Sequence, residues 1–169
     1  MDRRVAGDVM ICARVHAAAR SMLAAVTADC ALRGIRARVV PNAPSTLAAL
    51  LAAVEVDAVG PVVPVSGEHV EGALFGPNGN ARVRAWHDVE HVEGRLPFTL
   101  AGEVVASARA VARLRALGAS PDACTLADVE VRGQVSYRAR HGAFPVDQSA
   151  FTLHAFRYGL RAAVERGGF

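Results

Sequence analysis

The sequence predicts an all-α fold, a single-domain helical bundle of about six helices with one irregular Gly/Pro-rich insertion. Three observations carry this. Apolar residues recur at three- and four-residue steps over most of the chain. The breaks in that pattern fall at Gly, Pro, Ser and Thr positions that suit helix ends. A chain of 169 residues, 52% hydrophobic and only 5% aromatic, is the size of one domain with an Ala/Val-built core.

The first helix is expected over Val9 to Leu32, where Ile11, Val15, Ala18, Met22 and Val26 share a face. Gly34 is its expected C-cap; Val39 and Val40 are extended, and Pro41 and Pro44 prevent continuation. Ser45 is expected to cap a second helix from Thr46 to about Val56. Between Asp57 and Asn80, prolines and glycines predict an ordered loop with one short strand around Val62 to Val65. A helix from about Asn80 to Val92, the turn "EGRLPF" and a helix from Leu100 to about Leu117, capped by Thr99, form a hairpin over about 80–117. Gly118 closes it, and Ser120-Pro121 opens a helix from Asp122 to Arg140 that stops at His141-Gly142. The last helix is expected from about Val146 to Arg166. There is no internal repeat and no low-complexity segment.

All nineteen basic residues are arginine, the net charge is +3 and the pI is near 9.1. An Ala-, Val- and Arg-rich chain without lysine points to a GC-rich coding genome, such as a high-GC bacterium or a phage of one. The arginines group at Arg33/Arg36/Arg38, Arg109/Arg113/Arg115 and Arg138/Arg140, without a long run or interleaved aromatics, which gives no strong nucleic-acid signal. Cys12, Cys30 and Cys124 lie in apolar segments and read as buried free thiols. Asp8, Arg14 and His16 interrupt any signal-peptide core, and no uninterrupted apolar run approaches the roughly 20 residues of a membrane span. The expected location is cytoplasmic, in a bacterial or phage-infected host cell; a homo-oligomer is compatible with the sequence.

The densest chemistry is in "WHDVEHVEGRLPFTLAGEV". In a helix His87 and His91, at i and i+4, leave one face a turn apart, the spacing that lets two imidazoles reach one ion. Asp88 lies about 100° round the cylinder, either completing the ligand set or accepting a hydrogen bond from a ligating histidine. Glu103 follows His91 after eleven intervening residues and returns to the level of the histidines if the two helices form a hairpin. Two histidines and a carboxylate suit Zn²⁺, Fe²⁺ or another first-row divalent ion, Mn²⁺ included, and leave positions open for water or substrate. Glu90 and Glu93 are expected to face solvent.

"HDVEH", eleven residues and Glu103 resemble the HDxxH-x11-E motif of the Coq4 family of ubiquinone-biosynthesis proteins. The resemblance covers about seventeen residues. It implies a helical protein in which His87, Asp88, His91 and Glu103 hold one divalent metal, zinc foremost, with decarboxylation or hydroxylation chemistry on a quinone ring. The stretches "LFGPNGNARVRAWHD" and "RGQVSYRARHGAFPVDQSAF" also resemble phage proteins carrying the same motif.

A second polar cluster lies in "DVEVRGQVSYRARHGAFPVDQ". Glu130, Gln134, Tyr137 and His141 fall at steps of four, three and four and form one helical stripe. The stripe either faces a metal-centred cavity, or faces water while Val129, Val131 and Val135 face the core. On the first alternative Tyr137 and His141 are candidates for proton transfer, and Gln134 and Gln148 for hydrogen bonding to a polar substrate. Asp147 suits the N-cap of the last helix. His16, His69 and His154 have no comparable neighbours, although His69 could approach the site.

The function expected is that of a divalent-metal-dependent enzyme acting on a small organic substrate, Coq4-like. One alternative is an HD-type metal-dependent phosphohydrolase, with His87-Asp88 as the HD pair and His69 and one of Asp122, Asp128 or Asp147 recruited. Another is a non-catalytic, metal-stabilised binding protein.

Overall fold

The fold is all-α with a small sheet at one side. The computed structural model describes residues 3–67 and 74–169, with side chains from Val9 onward.

Helix α1 (Arg3–Arg33) runs through the centre. Its stripe Val15, Ala18, Ala19, Met22, Ala25, Val26 and Cys30 is buried, and its small residues let α5 (Pro121–Asp128) pack closely along it. Arg14 fixes that pairing with two bonds to Asp122, 2.7 and 2.6 Å. By length and composition Val9–Arg33 is also long and apolar enough to cross a membrane, although Arg14, His16, Arg20 and Asp29 interrupt its apolar run. One stripe of it packs into the core, and the rest of its surface is largely exposed. Gly34 ends it as expected: φ is +65°, and a Cβ there would sit 1.7 Å from the Val59 carbonyl oxygen.

The irregular insertion holds the short strand expected around Val62 to Val65, and the chain before it supplies two more. β1 (Arg36–Val40) pairs in parallel with β3 (Pro61–Ser66), from Arg36↔Val62 to Val40↔Ser66, and β2 (Glu55–Val56) pairs antiparallel on the other side of β3. Val63 and Val65 point into the core. The second helix, α2 (Leu47–Ala53), is shorter than expected and is capped by Thr46, not Ser45, with Glu55 and Val56 given over to the sheet.

Helices α3 (Gly76–Gly94) and α4 (Leu100–Ala116) form the hairpin. Pro77 sits in the first turn of α3, and Arg95, at φ 52°, reverses the chain after it. Thr99 Oγ1 accepts the Gly102 N–H at 3.3 Å and starts α4. After Ser120 caps α5, a π turn at Val129–Gly133 joins it to α6 (Gln134–His141). The final helix is two: α7 (Gln148–Tyr158), capped by Asp147, and α8 (Leu160–Arg166). Gly159, at φ 90° and ψ 154°, breaks the run in a conformation that side-chain-bearing residues avoid.

Glu93 faces solvent as expected, but Glu90 does not. Glu90 is fully buried: Oε1 accepts from Arg33 at 3.2 Å and Arg113 at 2.9 Å, and Oε2 from Arg109 at 2.9 Å. Glu93, half-exposed, binds Arg33 at 2.7 Å, and Asp29 accepts from Arg33 and the Trp86 indole. Arg33 thus meets Arg109 and Arg113, from another of the sequence's arginine groups, on shared carboxylates that offset their charge. The network clamps α3 between α1 and α4.

Candidate metal centre

The i, i+4 spacing on α3 puts His87 and His91 side by side, and the first turn of α4 brings Glu103 against them. His87 Nε2 lies 3.1 Å from Glu103 Oε2 and 3.0 Å from His91 Nε2; His91 Nε2 lies 3.3 Å from the same carboxylate oxygen. The donor atoms of the three residues all fall within 4.8 Å of one another. His91 Nδ1 is 2.9 Å from the Leu96 carbonyl, which can only accept, so Nδ1 carries the hydrogen and the neutral ring directs the Nε2 lone pair at the cluster. Phe98 packs edge-on against that ring, at 4.5 Å between centroids. His87 Nδ1 is buried without a partner among the described residues.

Asp88, the fourth expected ligand, is not among the converging donors. One residue further round α3, it borders the cluster, and burial pushes its carboxyl up to about 6 against the pull of His87 and His91. Burial would also raise Glu103, but hydrogen bonds to His87 and His91 bring it down to about 2. Burial opposes the charged form of His91, yet Glu103 and the Leu96 carbonyl outweigh it and raise the imidazole.

These shifts give a pH test with opposite slopes. In chelator-treated protein, the contribution of His91 is present below its unfolded value near 6.5 and lost as pH rises through the raised folded value. Raised Asp88 acts in the same direction between about 4 and 6, whereas lowered Glu103 loses its contribution only as pH falls below about 4.5 towards 2. Zinc needs both imidazoles neutral, so zinc-loaded protein gains stability as pH rises over that range. Denaturant melts between pH 5.5 and 7.5 are therefore expected to fall with pH without zinc and rise with it. Parallel slopes would count against the cluster as a metal site.

Gly102 sets the height of Glu103. A Cβ at Gly102 would lie 1.9 Å from the Pro97 carbonyl oxygen. Gly102→Ala must push the α4 terminus away from the turn, at about 1–3 kcal/mol for such overpacking. It is expected to lower the melting temperature and weaken zinc binding together, measured by thermal denaturation and zinc titration.

His87 and Glu103 border a cavity of about 750 Å³. Gln134 and Gln148 line it as well. Tyr137 and His141 do not: Tyr137 is buried against Phe151 and Phe169, with its hydroxyl accepting the Phe169 N–H at 3.3 Å. His141 is exposed and donates to the Val164 carbonyl at 2.8 Å. Both tie down the C-terminal turn, so the expected stripe divides, with Glu130 and Gln134 at the cavity and Val129 and Val131 in the core. The split falls within the regular helix α6, where residues three apart differ by about 60° around the cylinder, so Gln134 borders the cavity while Tyr137 turns to Phe151. Arg84 and Thr152, which no sequence spacing singles out, also reach the cavity; Glu130 is visible in the sequence only as a member of the stripe. His69 lies outside the described residues, and His154 meets Arg166 at 3.0 Å away from the cluster.

No protein-family model, curated protein or solved structure matches the chain.

Proposed function

We propose that this protein is a divalent-metal-dependent enzyme acting on a small organic substrate held in the cavity beside His87 and Glu103. The observation that carries the reading is the convergence of two imidazole nitrogens and a carboxylate oxygen within 4.8 Å, on the wall of a ligand-sized space. Three protein donors suit Zn²⁺, with Fe²⁺ and Mn²⁺ as alternatives, and a three-donor set is the pattern of catalytic more than of closed structural sites. When bound, such an ion supplies Lewis-acid polarisation and activation of water. The chain's own part is to hold the donors, with the Leu96 carbonyl fixing the His91 ring, and to offer Gln134 and Gln148 as hydrogen-bonding groups. The resemblance of the HDxxH-x11-E motif supports the finer reading, Coq4-like decarboxylation or hydroxylation.

An HD-type phosphohydrolase is less well supported. It leaves His91 and Glu103 without a role, and its aspartate candidates are engaged: Asp122 with Arg14, Asp128 with Arg132 and Ser107, and Asp147 in capping α7. The deciding experiment is metal analysis of untagged protein, followed by melting with and without chelator. About one equivalent of metal and a shift of a few degrees on chelation is the expected result. A loss of many degrees would assign the ion to stability, and protein free of metal even after zinc supplementation would end the proposal.

A further inference from the structure

The cavity also contains a carboxyl that the metal reading does not use. Glu130 stands on the π turn, half-buried at the cavity wall. Its Oε1 accepts from the Thr152 hydroxyl at 3.0 Å and its Oε2 from the Gln134 amide at 2.9 Å. Both donors are neutral. Glu90 has three arginines beside it, Asp29 has Arg33 and Asp128 has Arg132, whereas Asp88, beside the histidines, is the other enclosed carboxyl with no ion pair among the described residues. Among the described residues no arginine or histidine forms an ion pair with Glu130. Burial accordingly holds its carboxyl up at about 7, against the pull of the Thr152 hydroxyl.

The rest of the cavity has the same bias. Glu103, Glu130 and Asp147 border it against one arginine, Arg84, whose Nη1 is already donated to the Ser66 carbonyl at 2.9 Å. Val131, Val135 and Phe144 provide apolar wall to the same cavity. A buried carboxylate without a counter-charge is costly, and each of its oxygens still has a lone pair to offer. A ligand that brings its own cation removes that cost, whereas an anionic ligand adds to it.

We propose that Glu130, positioned by Gln134 and Thr152, anchors a protonated nitrogen, an amine or amidine, on a small ligand whose apolar body lies along Val131, Val135 and Phe144. This names the class of molecule for the site proposed above. It rests on that reading for the cavity being the ligand site, and not for the ion.

The test uses benzamidine, benzamide and benzoate, three probes of nearly one shape carrying positive, zero and negative charge. Each is titrated calorimetrically at pH 7.5 into chelator-treated and zinc-loaded full-length protein, with amide chemical shifts followed by NMR. In chelator-treated protein benzamidine is expected to bind about tenfold or more tightly than either relative, as a charge-assisted contact predicts. Its shifts are expected at Gln134 and Thr152, and Glu130→Gln is expected to abolish the preference. The wild-type shift map keeps the outcome readable even if Glu130→Gln does not fold. Equal binding, a preference for benzamide or benzoate, or shifts away from Gln134 and Thr152 would overturn the proposal. Because the comparison is made without zinc, a failure of zinc uptake would sink the metal reading and leave this result standing.

Discussion

If the cluster binds zinc as proposed, His91→Ala is expected to purify without it, whereas wild type and Asp88→Asn are expected to keep it. His91 is fully buried, its ring is fixed by the Leu96 carbonyl, and its Nε2 lies 3.0 Å from His87 and 3.3 Å from Glu103. Alanine leaves two donors on opposite helices, and loss of a direct ligand should exceed the 10–100-fold that loss of an outer hydrogen-bonding partner typically costs, on the order of two decades or more. Asp88 lies outside the three-donor group, so its amide should weaken zinc by no more than about 10–100-fold. Elemental analysis of untagged protein and competition with a chromophoric chelator measure both. If Asp88→Asn empties the site as fully as His91→Ala, the aspartate is a direct ligand after all and the three-donor geometry is wrong.

How far this cluster and its surroundings can be read from sequence depends on the range of the forces involved. The α3–α4 hairpin is legible because its determinants are local: the i, i+4 histidines, the Thr99 cap and the turn after Gly94 all act within a few residues. The parallel pairing of β1 with β3 is not, since strands more than twenty residues apart leave no periodic trace of their register. Glu130, Gln134, Tyr137 and His141 look like one stripe because steps of three and four are read as a single face. Residues three apart on α6 still differ by about 60°, enough for Gln134 to face the cavity while Tyr137 packs on Phe151. Motif resemblance places Asp88 among the ligands, while helix geometry alone also allows it the outer role. Gly159 shows a further limit: glycine inside a helical pattern marks either a tolerated residue or a break, and only the φ of 90° distinguishes them.

Glu90 departs furthest from its expected place, and it leads to the largest expected loss of stability. A glutamate beside "HDVEH" looks solvent-facing until Arg33 arrives from α1 and Arg109 and Arg113 from α4. Glu90→Ala removes the carboxylate that all three share and leaves Asp29 and half-exposed Glu93 to offset them. Breaking a buried ion pair from one side typically costs about 3–5 kcal/mol, which in a domain of this size lowers the melting temperature by roughly 10 °C or more. Glu93→Ala is the control, expected to cost under about 1 kcal/mol because its side chain is 45% exposed. Glu90→Gln separates shape from charge; it should resemble alanine if the network acts through charge and wild type if it acts through packing. The same clamp sets the spacing of α3 and α4, on which the distance from His87 to Glu103 depends. Zinc affinity should therefore fall in Glu90→Ala although residue 90 holds no metal. Denaturant melts and zinc titrations on the three variants test this, and an alanine variant as stable as wild type would show that the arginines find other partners.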